Sequence, residues 1–409
     1  MVHEANTPPE TSPFHRTRFE LPELNTPAYI IDEAKLAQSL RRGRAFADRA
    51  GAGLLYSLKA NSVVRVVKNM APVVDGFSCS SLMEAQLAKA VLGDGQKTIH
   101  FVSPGLSAKE APKLAEICTS ISFNSLTQWD RFGSLFKDRA RCALRVNPGV
   151  SLTRDPRIDA CRAHSKLGIG LDQLKNAFEQ MPKAFNAIEG LHVHNAVGNT
   201  DYRNLQRTVQ GLETAVPKLL NHIRWINLGG GYRLTRCKNQ DLFHQTVARL
   251  KTEFGLQVVI EPGTALLTDS CVLVASVVDI FTSGDKKIAV LDTSINHQLE
   301  SYIYEFSPRV DASQTDGAHK YLFAGSTCLA GDLLGEHAFA RPLRVGARVV
   351  FTSVGSYTHP LTTQYNGQSP PALYRLTPDN RLIEVRHYGF DDFVSRCGGI
   401  TTSVLPSVI

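Results

Sequence analysis

Between residues 54 and 261 one pattern recurs: a short apolar run, then a longer stretch with apolar residues at helical spacing. The runs are Leu54–Lys59, Gly76–Ser80, Thr98–Ser103, Ser120–Asn124, Cys142–Asn147, Ile188–His194, Trp225–Gly229 and Gln257–Glu261. Short apolar runs bounded by glycine or polar residues read as buried parallel strands. The stretches between them, such as the one carrying Leu82, Ala85, Leu87, Ala88 and Val91, read as amphipathic helices. Strictly alternating strand and helix excludes a helical bundle and an all-β sandwich, and leaves a parallel sheet covered by helices. Eight such units in roughly 250 residues have the count and size of a TIM-type (β/α)8 barrel. An open doubly wound sheet is the alternative. No GxGxxG follows the first run, which weakens a dinucleotide-binding reading.

The pattern changes near residue 270. From Cys271 the runs are short, β-branched and punctuated by turns: Val272–Ile280, Lys287–Leu291, Lys320–Phe323, Arg348–Thr352, Ala372–Leu376 and Leu382–Arg386. This stretch reads as a second, all-β domain. The run Thr26–Ile31 has no place in a closed barrel of eight strands, so it is assigned to that β domain. Asp32 then caps a helix from Glu33 to Ala50. The expected α/β organisation is therefore interleaved. Residues 1–22 are a Pro-, Thr- and Glu-rich mobile arm, and 23–34 the first strand of the β domain. Residues 35–268 are the barrel, and 269–409 the C-terminal β domain.

Composition narrows the function. A net charge of +7 is modest, and its only tight cluster, Arg41-Arg42-Gly43-Arg44, falls on the expected amphipathic helix. A solvated helix face explains that cluster better than a nucleic-acid patch, so no nucleic-acid partner is expected. Eight cysteines occur without a CxxC pair, which suits reduced thiols in a cytoplasmic protein. No run approaches the ~18 apolar residues of a membrane span. Glu4 and Glu10 near the N-terminus replace the apolar core of an export signal.

Five features at the expected strand ends and loops carry reactive groups. Lys59 closes the first run, where α/β folds place their chemistry. Apolar surroundings lower a lysine's pKa and free its amine to act as a nucleophile, although a snorkelling lysine would look the same. His194 closes the sixth run and shares a side of the strand with His192. Gly229-Gly230-Gly231 follows the seventh and suits close backbone approach to an anion, or a plain tight turn. Glu261-Pro262-Gly263 closes the eighth, and a carboxylate there demands a cationic partner. Cys328 lies in the glycine-rich loop Gly325–Asp332, exposed enough to donate a proton or merely structural.

One cofactor fits this set. Pyridoxal phosphate bonds covalently to a lysine, carries a phosphate, presents a flat ring for stacking, and has a ring nitrogen that an acid keeps protonated. The catalytic candidates are Lys59, Cys328, His194 and Glu261, with no metal. A barrel hydrolase using His192 and His194 as a metal pair lacks the remaining ligands.

The residues also resemble a known family, the alanine-racemase-like fold-type III pyridoxal-phosphate decarboxylases. The resemblance runs from about Thr26 to Tyr388. Its markers keep the family's order: Lys59, Arg145 in Leu144–Pro148, Lys166-Leu167-Gly168, His194, the triple glycine, Glu261-Pro262-Gly263, Cys328 to Asp332, and Gly355-Ser356-Tyr357-Thr358. The subgroup it most resembles acts on carboxynorspermidine and carboxyspermidine in polyamine synthesis. The resemblance implies that Lys59, Arg145, His194, Gly229, Gly230, Gly231, Glu261, Gly263 and Tyr357 hold the cofactor. Cys328, Asp332 and Tyr357 are expected to meet substrate, with the loop residue Glu305 at its distal end, and the resemblance implies that Cys328 returns the proton. It also implies a homodimer with shared active sites, Lys166 and Asp332 matching a cross-subunit ion pair.

The chain departs from the subgroup at Val197 and Gly198, where a cysteine and a glutamate are usual. Leu329 also stands where ornithine and diaminopimelate enzymes have an acid. A decarboxylase of a citrate–diamino-acid conjugate in siderophore synthesis is thus a competing expectation. An amino-acid racemase would need a second base opposite Lys59 and no Glu261. A non-catalytic relative would have lost the lysine or the glycines.

Overall fold

The computed structural model describes residues 24–153, 155–267 and 269–399. The expected mobile arm, residues 1–22, lies outside them. The chain forms two compact units, one from residue 36 to 268, the other joining the chain before residue 36 to the chain from 269 onward.

The second unit opens with strand β1 (Ala28–Asp32), which runs into helix α1 (Glu33–Ala50). Asp32 Oδ1 accepts the Lys35 N–H at 2.9 Å, the N-cap bond that starts the helix. Barrel strands follow in chain order: β2 (Gly53–Ser57), β3 (Gly76–Cys79), β4 (Thr98–Ser103), β5 (Ser120–Phe123) and β6 (Arg141–Asn147). After a two-residue strand β7 (Ile169–Gly170), which pairs only with β6, come β8 (Gly190–Val193), β9 (Trp225–Asn227) and β10 (Gln257–Ile260). The eight long strands are parallel neighbours in sequence order, β5 pairing with β6, and β10 closes on β2 through Val259↔Gly53 and Ile260↔Leu54. This is the expected closed (β/α)8 barrel.

Two helices start on serine N-caps at the strands' C-terminal ends, each with the N3 side chain holding the N–H just before the cap. Ser81 Oγ accepts the Glu84 N–H at 3.2 Å while Glu84 Oε2 accepts the Ser80 N–H at 2.7 Å. Ser125 and Gln128 repeat the device, Gln128 Oε1 taking the Asn124 N–H at 2.8 Å. Helix starts are thereby fixed at the end of the barrel where βα loops gather.

The other unit is mostly sheet, with a few short helical segments. Its strands are β1, β11 (Cys271–Ser283), β12 (Lys286–Leu291), β13 (Arg309–Val310), β14 (His319–Ala324), β15 (Leu333–Phe339), β16 (Arg348–Thr352), β17 (Ala372–Leu376) and β18 (Leu382–Arg386). The sheet runs β15-β14-β12-β11-β1-β17-β18, and β16 pairs with β11 and β13. β1 lies antiparallel to β11 (Ile30↔Val272) and parallel to β17 (Ile30↔Tyr374). The N-terminal run therefore belongs to this sheet. Ala28, Ile30, Val272, Val274, Val350, Ala372 and Tyr374 form one buried cluster, because β-branched and aromatic side chains pack well on a pleated face.

Candidate active site

Lys59 does not end strand β2. The strand stops at Ser57, and Lys59 sits in a single 3₁₀ turn, Leu58–Ala60, just beyond it. Leu58 and Ala60 are buried and hold the turn from below. Tyr56 Oη donates to the Asn61 carbonyl at 2.8 Å and fixes its exit. The lysine side chain is open to water at one side, yet protein surrounds its amine closely. That desolvation lowers its pKa against the opposing pull of Glu261, and the Arg145 charge adds to the lowering while Glu84 weakly opposes it.

Glu261 stands just past β10, 4% exposed. Its Oε1 is 3.0 Å from His192 Nε2, and its Oε2 accepts from Asn227 Nδ2 at 3.1 Å. Burial works to raise its pKa, but His192, the largest opposing influence, holds the carboxyl well below the usual range. Behind them His100 is wedged between Ser120 Oγ (2.9 Å) and Ser122 Oγ (3.2 Å), its ring 5.6 Å from that of His192. Burial pushes His100 down to about 4, so it is neutral at physiological pH.

His194 lies one residue beyond β8. Its Nδ1 accepts the Gly230 N–H at 2.9 Å, which places the proton of the neutral ring on Nε2. Burial holds its pKa well below the usual value, and the charges of Lys59 and Arg145 add to that. Arg145, on β6, is 8% exposed.

The three glycines divide their work. Gly229 N–H donates to Asn227 Oδ1 at 2.8 Å, and Gly230 N–H is spent on His194. Gly231 N–H meets no acceptor among the described residues, and neither does Gly263 N–H. The expectation that all three glycines offer their N–H groups to a phosphate is therefore corrected: the first two build the cradle, and Gly231 is left to donate. Gly231 has φ +86°, and an added Cβ would fall 1.8 Å from the Ala196 carbonyl oxygen. At Gly263 a Cβ would press on Ala60 at 2.6 Å, so the lysine turn packs directly on the Glu-Pro-Gly corner.

The donor set fits pyridoxal phosphate. A crowded amine, a carboxylate and a neutral imidazole lie close enough to act on one another electrostatically, and Gly231 and Gly263 of the adjoining loops keep unspent N–H groups. The donor atoms of His192, His194 and Glu261 lie within 4.8 Å of one another. Of these atoms His194 Nδ1 takes the Gly230 N–H and Glu261 Oε2 the Asn227 amide, while His192 meets Glu261 only through the 3.0 Å contact of its Nε2.

The remaining site candidates lie in the sheet unit. Cys328 is exposed between β14 and β15, its N–H donating to Asn366 Oδ1 at 3.1 Å. Tyr357 has φ +63° and is the residue before the short helix Thr358–Leu361. Glu305, φ +56°, is exposed after the helix Leu299–Ile303. Asp332 was expected at substrate, but it is 3% exposed and committed within its own unit. Its carboxylate accepts from Ser294 Oγ (2.9 Å), Ile295 N–H (2.7 Å), Thr327 N–H (3.1 Å) and the Thr327 hydroxyl. Its work is to shape the cysteine loop.

A barrel with this lysine, acid and anion cradle defines a pyridoxal-phosphate enzyme of the (β/α)8 type. Residues 36–268 match the family model for the pyridoxal binding domain of pyridoxal-dependent decarboxylases, and the chain belongs to that family. The carboxynorspermidine/carboxyspermidine decarboxylase of Herminiimonas arsenicoxydans is 32% identical over 91% of this chain and 99% of its own length. The crystal structure of Campylobacter jejuni carboxynorspermidine decarboxylase with norspermidine superposes with a TM-score of 0.82 at 30% identity, covering 91% of this chain and all of that one. Diaminopimelate decarboxylase of Helicobacter pylori, at 20% identity and TM-score 0.80 over 92% and 98% of the two chains, shares the fold. The expected fold-type III decarboxylase family, enzyme class and cofactor all hold.

Sequence reasoning missed His100 and Asn227 and left His192 undecided. Asn227 ties Glu261 to the glycine cradle. Its one sequence signal is its place two residues before the triple glycine.

Proposed function

We propose that this enzyme removes the α-carboxylate of an amino acid with an extended polyamine side chain, carboxynorspermidine or carboxyspermidine. The observation that carries the reading is the near-full-length match at 32% identity to a decarboxylase of that name. The norspermidine complex of a similar fold at 30% identity supports it.

The bound cofactor supplies an electron sink for the charge left when CO₂ departs. Lys59 holds it covalently, helped by an amine that desolvation keeps reactive. Glu261, itself held by His192 and Asn227, places a negative charge where the ring nitrogen keeps its proton. His194 offers a flat neutral face and fixes Gly230. Gly231 and Gly263 donate N–H groups to the phosphate, and Tyr357 adds a hydroxyl. Cys328 delivers the proton that replaces the lost carboxylate. The reading includes a cytoplasmic homodimer in which Cys328 of one subunit serves the Lys59 of the other. No helix among the described residues is long and apolar enough to cross a membrane.

A second reading rests on Val197, which is exposed, and Gly198, the positions where this chain departs from the subgroup's usual cysteine and glutamate. It assigns an anionic citrate–diamino-acid conjugate. A CO₂-release screen decides between them, using carboxynorspermidine, carboxyspermidine, a citryl-ornithine conjugate, ornithine and diaminopimelate. Turnover highest on the first two upholds the polyamine reading, and preference for the conjugate overturns it.

A further inference from the structure

The arginine run Arg41-Arg42-Gly43-Arg44 is not a uniform solvated face. Arg44 is neutralised, its guanidinium 2.8 Å from Asp75 Oδ2 and 2.7 Å from Asp48 Oδ1. Arg42 forms no ion pair among the described residues, and it lines a cleft with Ser39, Arg233, Thr235 and Arg236. Arg233 has no carboxylate partner among the described residues either. Counting its open mouth, the cleft measures about 390 Å³.

This cleft is built, not a gap between loose loops. Helix α1 comes close enough that a Cβ on Gly43 would fall 2.3 Å from Leu266 Cδ2. Opposite, Leu234 is 5% exposed at φ +44°, a conformation that costs a leucine about 1–2 kcal/mol. Such strain persists only where the surroundings over-determine it. Here the Leu234 carbonyl accepts from Tyr202 Oη (3.4 Å) and Cys237 N–H (3.0 Å). Arg233 N–H donates to the Asn199 carbonyl (3.1 Å), and Gln240 Nε2 to that of Thr235 (2.7 Å). The backbone of the 233–237 segment is pinned while its arginine side chains stay exposed.

We propose that this cleft binds a small phosphate-bearing polyanion, at a site separate from the cradle of Gly231 and Gly263. The guanidiniums of Arg42 and Arg233, lining one cleft, repel each other until an anion arrives, and their planar forks match phosphate oxygens two at a time. The Thr235 hydroxyl lies in the same lining and can donate a further hydrogen bond.

The test is calorimetric titration of the full chain, preincubated with pyridoxal phosphate, with inorganic pyrophosphate and separately with ADP. Saturable binding is expected, weakened about tenfold or more by Arg42→Gln and by Arg233→Gln. Arg41→Gln, on the same helix but outside the cleft lining, leaves it unchanged. Tighter binding of ADP marks a nucleotide as the ligand, and equal binding marks the polyphosphate alone. The proposal is overturned by absence of binding up to about 10 mM. It is equally overturned if Arg41→Gln weakens binding as much as Arg42→Gln, the mark of diffuse surface charge. Neither result bears on the decarboxylase reading, which the CO₂ screen tests separately.

Discussion

His192 Nε2 stands 3.0 Å from Glu261 Oε1 inside the barrel, and that contact turns a buried acid into an oriented one. With Asn227 on the other oxygen, each carboxylate oxygen has a neighbour that orients it. Its negative charge is aimed before any ligand arrives, which is how a dry site gains most from electrostatics.

Glu261→Gln preserves shape and removes the charge. It is expected to retain cofactor absorbance while turnover falls by about 10²–10³. His192→Ala leaves the acid half-anchored, and should lower turnover less while reducing stability by about 1–3 kcal/mol. Steady-state kinetics and thermal melts of both variants give the comparison; full activity in Glu261→Gln contradicts the assignment.

Lys59→Ala should abolish the visible absorbance of the bound cofactor and the activity together. Borohydride reduction of the parent should fix cofactor onto this residue, as peptide mass mapping would show. A variant that stays yellow means that another amine carries the cofactor.

Cys328→Ala should bind cofactor normally and lose turnover by about 10²–10⁴, the range for a displaced proton donor, or release an oxidised by-product. Mixing it with Lys59→Ala chains adds a test of shared sites. Random reassociation of a two-fold dimer restores about a quarter of the parent activity if each site draws on both subunits. No recovery after mixing would mean that each chain completes its own site.

Glu300 gives a pH dependence with a definite sign. Burial raises its carboxyl to about 7 from an ordinary 4.5, while the Thr358 hydroxyl donates to it. Between those values the folded chain holds a proton that the unfolded chain has lost. The resulting stability is complete below the unfolded value, and declines as pH rises to the folded one. Glu300→Gln removes that slope. The melting temperature of the parent relative to the variant should fall between pH 5 and pH 8, by about 2–4 °C per kcal/mol. Parallel profiles for the two proteins would show that the carboxyl does not titrate there.

The barrel was legible because its strands are bounded on both sides by helical spacing. Thr98–Ser103 comes out of sequence and structure with the same limits, as do Arg348–Thr352, Ala372–Leu376 and Leu382–Arg386. Strand β15 was not legible. Gly335, with φ +91°, and the polar pair Glu336-His337 interrupt its alternation, and only pairing with β14 makes it a strand. Lys59 was found but placed one turn early, since Leu58 continues the apolar run after the hydrogen-bonding ladder has ended. The site's reactive groups announced themselves at strand ends. Their supports did not, because a histidine or asparagine inside a barrel has the same local sequence as one facing water. His100 and Asn227 become recognisable only through partners more than twenty residues away. The same holds for the glycines, whose N–H groups are told apart by their acceptors alone.

Strand β1 sits between β11 and β17, and the Arg375–Glu33 ion pair at its end spans 342 residues. During synthesis this fully buried strand leaves the ribosome long before its sheet neighbour β17, whose Tyr374 pairs with Ile30. A nascent chain can assemble the barrel on schedule while an apolar strand edge ahead of it waits unpaired. Truncation before residue 372 would leave that edge open for good, a lasting invitation to aggregation or chaperone capture.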